Sequence, residues 1–254
     1  MSTTAIALRR NASKGRRSPA IAFAFPVVFP LFIIGLFSQV YRDVAQVPGF
    51  PVSHYVDWMA PAVFLMAAMF GAQYSAQGLL TDMQTGYLDR LRLLPIKPGG
   101  IILGALIFDV IRTAVAGSLV LLASIALGAR WHGGLAAVLG LPILLALWTL
   151  AYGGLFYLVG LKAKKQEAMM GLIPLFLPLS MLSTAYLPRH LLPSWVQWAA
   201  RINPYSYVVD GTRMFATGDP SWTTFAAAVA AASITAVLLH RVSARAFAQL
   251  VDQD

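Results

Sequence analysis

Residues 101–127 read IILGALIFDVIRTAVAGSLVLLASIAL, 27 consecutive positions with two charges among them, Asp109 and Arg112. A helix crosses a bilayer in about 20 apolar residues, so this run is long enough to cross with a tilt. Runs of the same character recur near 20–41, 58–80, 135–160, 168–187 and 222–240. The 254-residue chain is 58% hydrophobic and only 11% charged, with a mean hydropathy of +0.69. Soluble domains carry about 25% charged residues, too many more for a water-soluble reading to hold. The pattern predicts an all-α integral membrane protein with six transmembrane helices. A basic segment 1–19, a transmembrane domain 20–240 and a tail 241–254 complete the expected organisation.

The net charge is +9. On a soluble protein that would point to nucleic acid; here the basic residues flank apolar runs and answer to topology and anionic lipid instead, so no nucleic-acid partner is expected. With 20–41 retained as a first helix rather than cleaved as a signal, Lys and Arg divide 13 to 5 between the two sides, and Arg112 lies within a span. The richer side holds Arg9, Arg10, Lys14, Arg16 and Arg17, then Arg90, Arg92, Lys97, Lys162, Lys164, Lys165, Arg241 and Arg245. Basic loops stay in the cytoplasm, which predicts a multi-pass protein with both termini cytoplasmic. Trp58, Trp131, Trp195, Trp198 and Trp222 fall near the outer span ends, where indoles favour the interface.

Two connecting segments carry more information than the spans. In 81–99, TDMQTGYLDRLRLLPIKPG, the residues Tyr87, Leu88, Leu91 and Leu94 recur at helical spacing with Asp89, Arg90 and Arg92 between them. This predicts a short amphipathic helix ended by Pro95, suited to the membrane surface or to a groove on a partner. In 188–213, PRHLLPSWVQWAARINPYSYVVDGTR, the residues Leu192, Trp195, Val196 and Ala199 fall on one face, Asn203-Pro204 breaks the helix, and a second short helix is expected over 205–215. Within the third span, Asp109 and Arg112 stand three apart and can pair. Ionisable groups at membrane depth usually face the bundle interior; the pair reads as a pathway or subunit contact, or as a structural ion pair. Pro174 and Pro178 make the fifth span the weakest helix.

The chain lacks the phosphate-cradling P-loop pattern, H-E-x-x-H and G-x-S-x-G. It has no cysteine, and its four histidines, His54, His132, His190 and His240, are scattered. No catalytic residue and no metal site is expected, and ATP is not held in this chain.

On these residues the chain resembles the permease subunit of an ABC-2 type transporter, closest to the daunorubicin-resistance type of drug-export permease. The resemblance rests on Arg17-Ser18-Pro19 and 31–37 at the first span, and on Asp82, Gly86, Arg90, Leu91 and Pro95 in the first loop. Most of all it rests on Pro188, Pro193, Trp195, Ala199, Asn203, Pro204, Asp210 and Arg213 near the end. It implies two permease subunits, identical or homologous, in the bacterial cytoplasmic membrane, and two separate ATPase subunits that use ATP and Mg. It also implies that Asp82, Gly86, Tyr87, Leu88, Arg90, Leu91, Leu94 and Pro95 form a coupling helix docking on the ATPase. The hairpin between the fifth and sixth spans would form an extracellular gate, through which a drug or lipid-like substrate is exported. The competing reading is an intramembrane enzyme acting on lipid, for which only Asp109 and Arg112 would be available.

Overall fold

A computed structural model of the chain describes residues 8–13, 25–86 and 98–251. The described residues are helical and contain no strand. Residues 8–13 form a short helical segment. The helices that follow are α1 (Phe25–Val40), α2 (Tyr55–Gln84), α3 (Pro98–Ala126), α4 (Gly134–Ala163), α5 (Gln166–Met170), α6 (Leu172–Met181), α7 (Ser194–Ile202), α8 (Pro204–Thr217) and α9 (Trp222–Val251).

Helix α2 is the central post. Its 30 residues run about 45 Å at 1.5 Å per residue, and the most apolar stretch of it is buried along its whole length. It packs against α1, α3, α4 and α8, and α9 closes the bundle against α4 and α8. Close approach is set by missing side chains. A Cβ at Gly71 of α2 would collide with Thr113 of α3, and one at Gly154 of α4 would meet Leu239 of α9.

The distribution of polarity is inverted relative to a soluble bundle. On α3 the residues Ile111, Val115, Leu119 and Leu122 form an exposed stripe at helical spacing, while Asp109, Arg112, Thr113 and Ala116 turn inward. Leaving such side chains in water would cost about 2 kcal/mol each; beside lipid they cost nothing. Among the described residues four helices are long and apolar enough to cross a membrane: Tyr55–Gln84, Gly104–Ala126, Gly134–Ala163 and Trp222–Ala246. The chain is therefore an integral membrane protein.

The other two expected spans look different. The described part of the first is α1, a shorter apolar helix, and residues 20–24 of that span lie outside the described residues. The span expected at 168–187 is not one helix. It divides at Gly171 into α5 and α6, and α6 stops at Leu182. Pro174 sits in the first turn of α6, where its missing N–H is not needed, but Pro178 withdraws a donor from the interior.

Candidate functional site: the α7–α8 hairpin and its lock

After α6 the chain passes through a 3-10 segment at Arg189–Leu191 and continues as α7 and α8. The two helices are not a surface hairpin throughout. Val208, Val209, Thr212, Arg213 and Phe215 of α8 are buried, and α8 is packed among α2, α4 and α9. It is a half-helix wedged into the bundle.

Asn203 makes the turn between the two helices. Its Oδ1 accepts a hydrogen bond from the Tyr205 N–H at 3.0 Å, capping α8, and Pro204 follows at the first helical position. Its Nδ2 donates to the carbonyls of Leu179 and Leu182 at 2.8 and 3.0 Å. Those carbonyls end α6 and have lost the helical donors that a continued span would supply. One amide side chain thus caps both helices.

Arg213 locks the far end of α8. Its Nη1 donates to Asp210 Oδ1 at 2.6 Å, its Nη2 to the Thr184 carbonyl at 2.8 Å and its Nε to the Trp58 carbonyl at 3.2 Å. The guanidinium lies 3.6 Å from the Trp58 ring centroid, a cation–π distance. Thr184 Oγ1 donates to the same Asp210 oxygen at 2.7 Å, and Arg189 approaches the other at 3.9 Å. Arg213 is buried, so this network fixes α2, the segment after α6 and α8 to one another around a desolvated charge. Tyr205 OH adds a bond to the Ala62 carbonyl at 3.0 Å, and Tyr55 OH one to the Tyr186 carbonyl at 3.1 Å.

Of the hairpin residues read from sequence, Asn203, Pro204, Asp210 and Arg213 meet in this lock and turn. Pro188 and Pro193 immediately precede the 3-10 segment and α7. The face read on α7 differs: Val196 and Ala200 pack inward, whereas Trp195 and Trp198 are exposed. Trp58, placed at the interface from sequence, is buried under Arg213 instead. Thr184 and Tyr205 had no sequence signal, because each acts through a partner more than 20 residues away.

Asp109 and Arg112 are 0% and 1% exposed and lie 3.2 Å apart, oxygen to nitrogen. Arg112 Nη2 also donates to the Gly71 carbonyl, and its guanidinium sits 4.4 Å from the Tyr74 ring centroid. The pair faces α2 within the same chain and ties α3 to its midpoint.

At the other end of α2, Asp82 is buried and accepts from both terminal guanidinium nitrogens of Arg10, Nη2 to Oδ1 at 2.5 Å and Nη1 to Oδ2 at 2.7 Å. Gly86 adopts φ +65°, a left-handed conformation suited to glycine. Tyr87, Leu88, Arg90, Leu91, Leu94 and Pro95 lie outside the described residues. Gln84 Nε2 reaches the Lys164 carbonyl at 3.4 Å, linking this end of α2 to that of α4. The histidines have separate partners: His132 bonds the Ala216 carbonyl, His190 that of Gly49 and His240 that of Leu150.

A bundle with an apolar core that buries a few charged side chains, a lipid-suited exterior and a half-helix wedged among its long helices defines a polytopic membrane protein. The chain belongs to the ABC-2 type transporter family, whose family model matches residues 3–215. It is 27% identical, over 74% of its length, to the daunorubicin resistance ABC transporter permease protein DrrB1 of Streptomyces coeruleorubidus. It is 25% identical, over 76% of its length, to a protein of Mycobacterium tuberculosis described as a probable doxorubicin resistance ABC transporter permease protein, DrrC. The matches cover 64% and 70% of the two relatives' own lengths.

Proposed function

We propose that the chain is the transmembrane permease subunit of an ATP-binding-cassette exporter. It moves a hydrophobic or amphipathic drug or a lipid-like molecule out of the cytoplasm or the inner leaflet. In this reading the chain crosses six times, α5 and α6 together forming the fifth span, with both termini cytoplasmic as the distribution of Lys and Arg favours. A second permease, identical or homologous, completes the path, and two ATPase subunits that bind ATP and Mg supply the energy.

The observation that carries this reading is the course of α2. One end of it meets Arg213 of the wedged hairpin, and the other leads towards residues 87–97, the segment read from sequence as amphipathic. In this mechanism ATP binding closes the ATPase dimer and displaces the amphipathic segment around Leu91. The motion passes along α2 and α3, and the hairpin around Asp210 and Arg213 gates the far side. The ATPase must favour one of two access states by differential binding. Few polar side chains are available to specify the cargo, which suits a substrate sorted by its apolar area.

The test is co-expression with a P-loop ATPase subunit from the same genome. The wild-type chain co-purifies with it and supports ATP-dependent efflux of doxorubicin. Leu91→Asp, which sets a charge on the docking face, weakens the association by at least about tenfold while membrane insertion is retained. Equal association and equal efflux by the two proteins would remove the coupling role from this segment.

A further inference from the structure

Helix α8 is 14 residues long, about 21 Å, and lies beside α4 and α9, each of 30 residues and about 45 Å. A half-helix fills only part of the groove along two full ones. Below its first turn a cavity of about 200 Å³ remains, walled by Trp148 and Tyr152 of α4, Phe176 and Leu179 of α6, Tyr205 of α8 and Leu239 of α9. Trp148 is 14 residues beyond the start of α4, about 21 Å along it. The cavity therefore lies at hydrocarbon depth.

Its chemistry is specific by exclusion. No charged side chain lines it. The start of α8 offers no free donor there, because Pro204 has no N–H and those of Tyr205 and Ser206 are bonded to Asn203 at 3.0 and 3.1 Å. The wall keeps a buried polar atom without a hydrogen-bond partner among the described residues, Trp148 Nε1, but with no charged side chain beside it the cavity does not suit an anion. Nor do the aromatics form a cage for a cation. Trp148 stacks on Tyr205 at 5.7 Å, and Phe176 packs edge-on against Tyr205 and Tyr152 at 5.7 and 6.0 Å. The rings pack on one another and form a largely apolar wall, with Ser180, Asn203 and Thr235 the polar residues on the lining. Leu179 is both wall and rim, at 57% exposed, and α9 beside it turns Ile234, Val237 and Leu238 outward. The mouth is continuous with the lipid-facing surface.

We infer that this cavity is a binding site for one acyl chain of a membrane lipid, which enters past Leu179 and ends against Trp148 and Tyr205. A methylene takes about the room of a water, about 30 Å³, so the volume holds roughly seven carbons of a chain. The lipid props the underside of the hairpin and completes the packing that the short α8 leaves unfinished. The inference needs only the chain in a bilayer and stands apart from any ATPase.

The test reconstitutes the full chain in vesicles of phosphatidylcholine carrying dibrominated acyl chains, which quench tryptophan on contact. The emission due to Trp148 is the difference between wild type and Trp148→Phe. Although Trp148 is buried, its emission falls in brominated vesicles relative to unbrominated ones. Thr235→Phe on α9 and Leu155→Phe on α4, which fill the cavity from two different helices and keep Trp148, each abolish that loss while the exposed tryptophans stay quenched. Trp148 emission that is the same in both vesicles overturns the inference. So does quenching of Trp148 by added doxorubicin in unbrominated vesicles with none from the brominated chains, which would give the cavity to a planar drug.

Discussion

Asn203 does at one position what two caps usually share. Asn203→Asp keeps the acceptor for the Tyr205 N–H but loses both donors, leaving the Leu179 and Leu182 carbonyls unpaired. Each unpaired group costs about 1–3 kcal/mol, so this variant unfolds at a lower temperature in detergent. Asn203→Ala is also destabilised: it avoids a carboxylate against those carbonyls but loses the cap on α8 as well, about 1 kcal/mol. Arg213 is held by geometry as much as by charge. Arg213→Lys keeps the charge but cannot reach Asp210, Thr184 and Trp58 together; a destabilisation of about 3 kcal/mol is expected, read as thermal stability. Lys164 points the other way. It ends α4 at φ +51° and is exposed. Lys164→Gly relieves a left-handed conformation worth about 1 kcal/mol and raises the melting temperature.

At the scale of elements, contacts between helices are set by what glycine leaves out. Gly71→Ala places a methyl on Thr113 and pushes apart the helices that Arg112 joins through the Gly71 carbonyl. Overpacking of this kind costs about 1–3 kcal/mol, and Gly71→Ala together with Thr113→Ala recovers most of it, measured by thermal unfolding of both proteins. The pairing of Arg10 with Asp82 holds residues 8–13 against the end of α2. Arg10→Glu breaks it by setting like charges together, and Arg10→Glu with Asp82→Arg restores it. Limited proteolysis near the N-terminus reads the difference.

These elements also show how far the sequence carries. The run 101–127 is legible because a span must be apolar for its full length, and α3 has that character. The division of the fifth span is half legible. Pro174 and Pro178 announce a weak helix, but where α6 stops is decided by Asn203, more than 20 residues downstream, and no local pattern contains that. The wedge is hidden for the same reason. Amphipathic spacing on α7 reads equally well as a helix lying on a membrane, and only the tertiary partners of α8 show it buried. The hairpin residues are singled out by the family resemblance, and only the break at Asn203-Pro204 is read from the residues themselves.

Over the whole molecule, α2 joins the polar features into one line. Trp58, under Arg213, and Gln84, against the Lys164 carbonyl, each lie thirteen residues from Gly71, where Arg112 grips the helix from α3. Each arm is about 20 Å. Held at its middle, α2 has the proportions of a see-saw with equal arms. A tilt about Gly71 that carries the Gln84 end one way carries the Trp58 end as far the other way, with no gain and no loss of stroke.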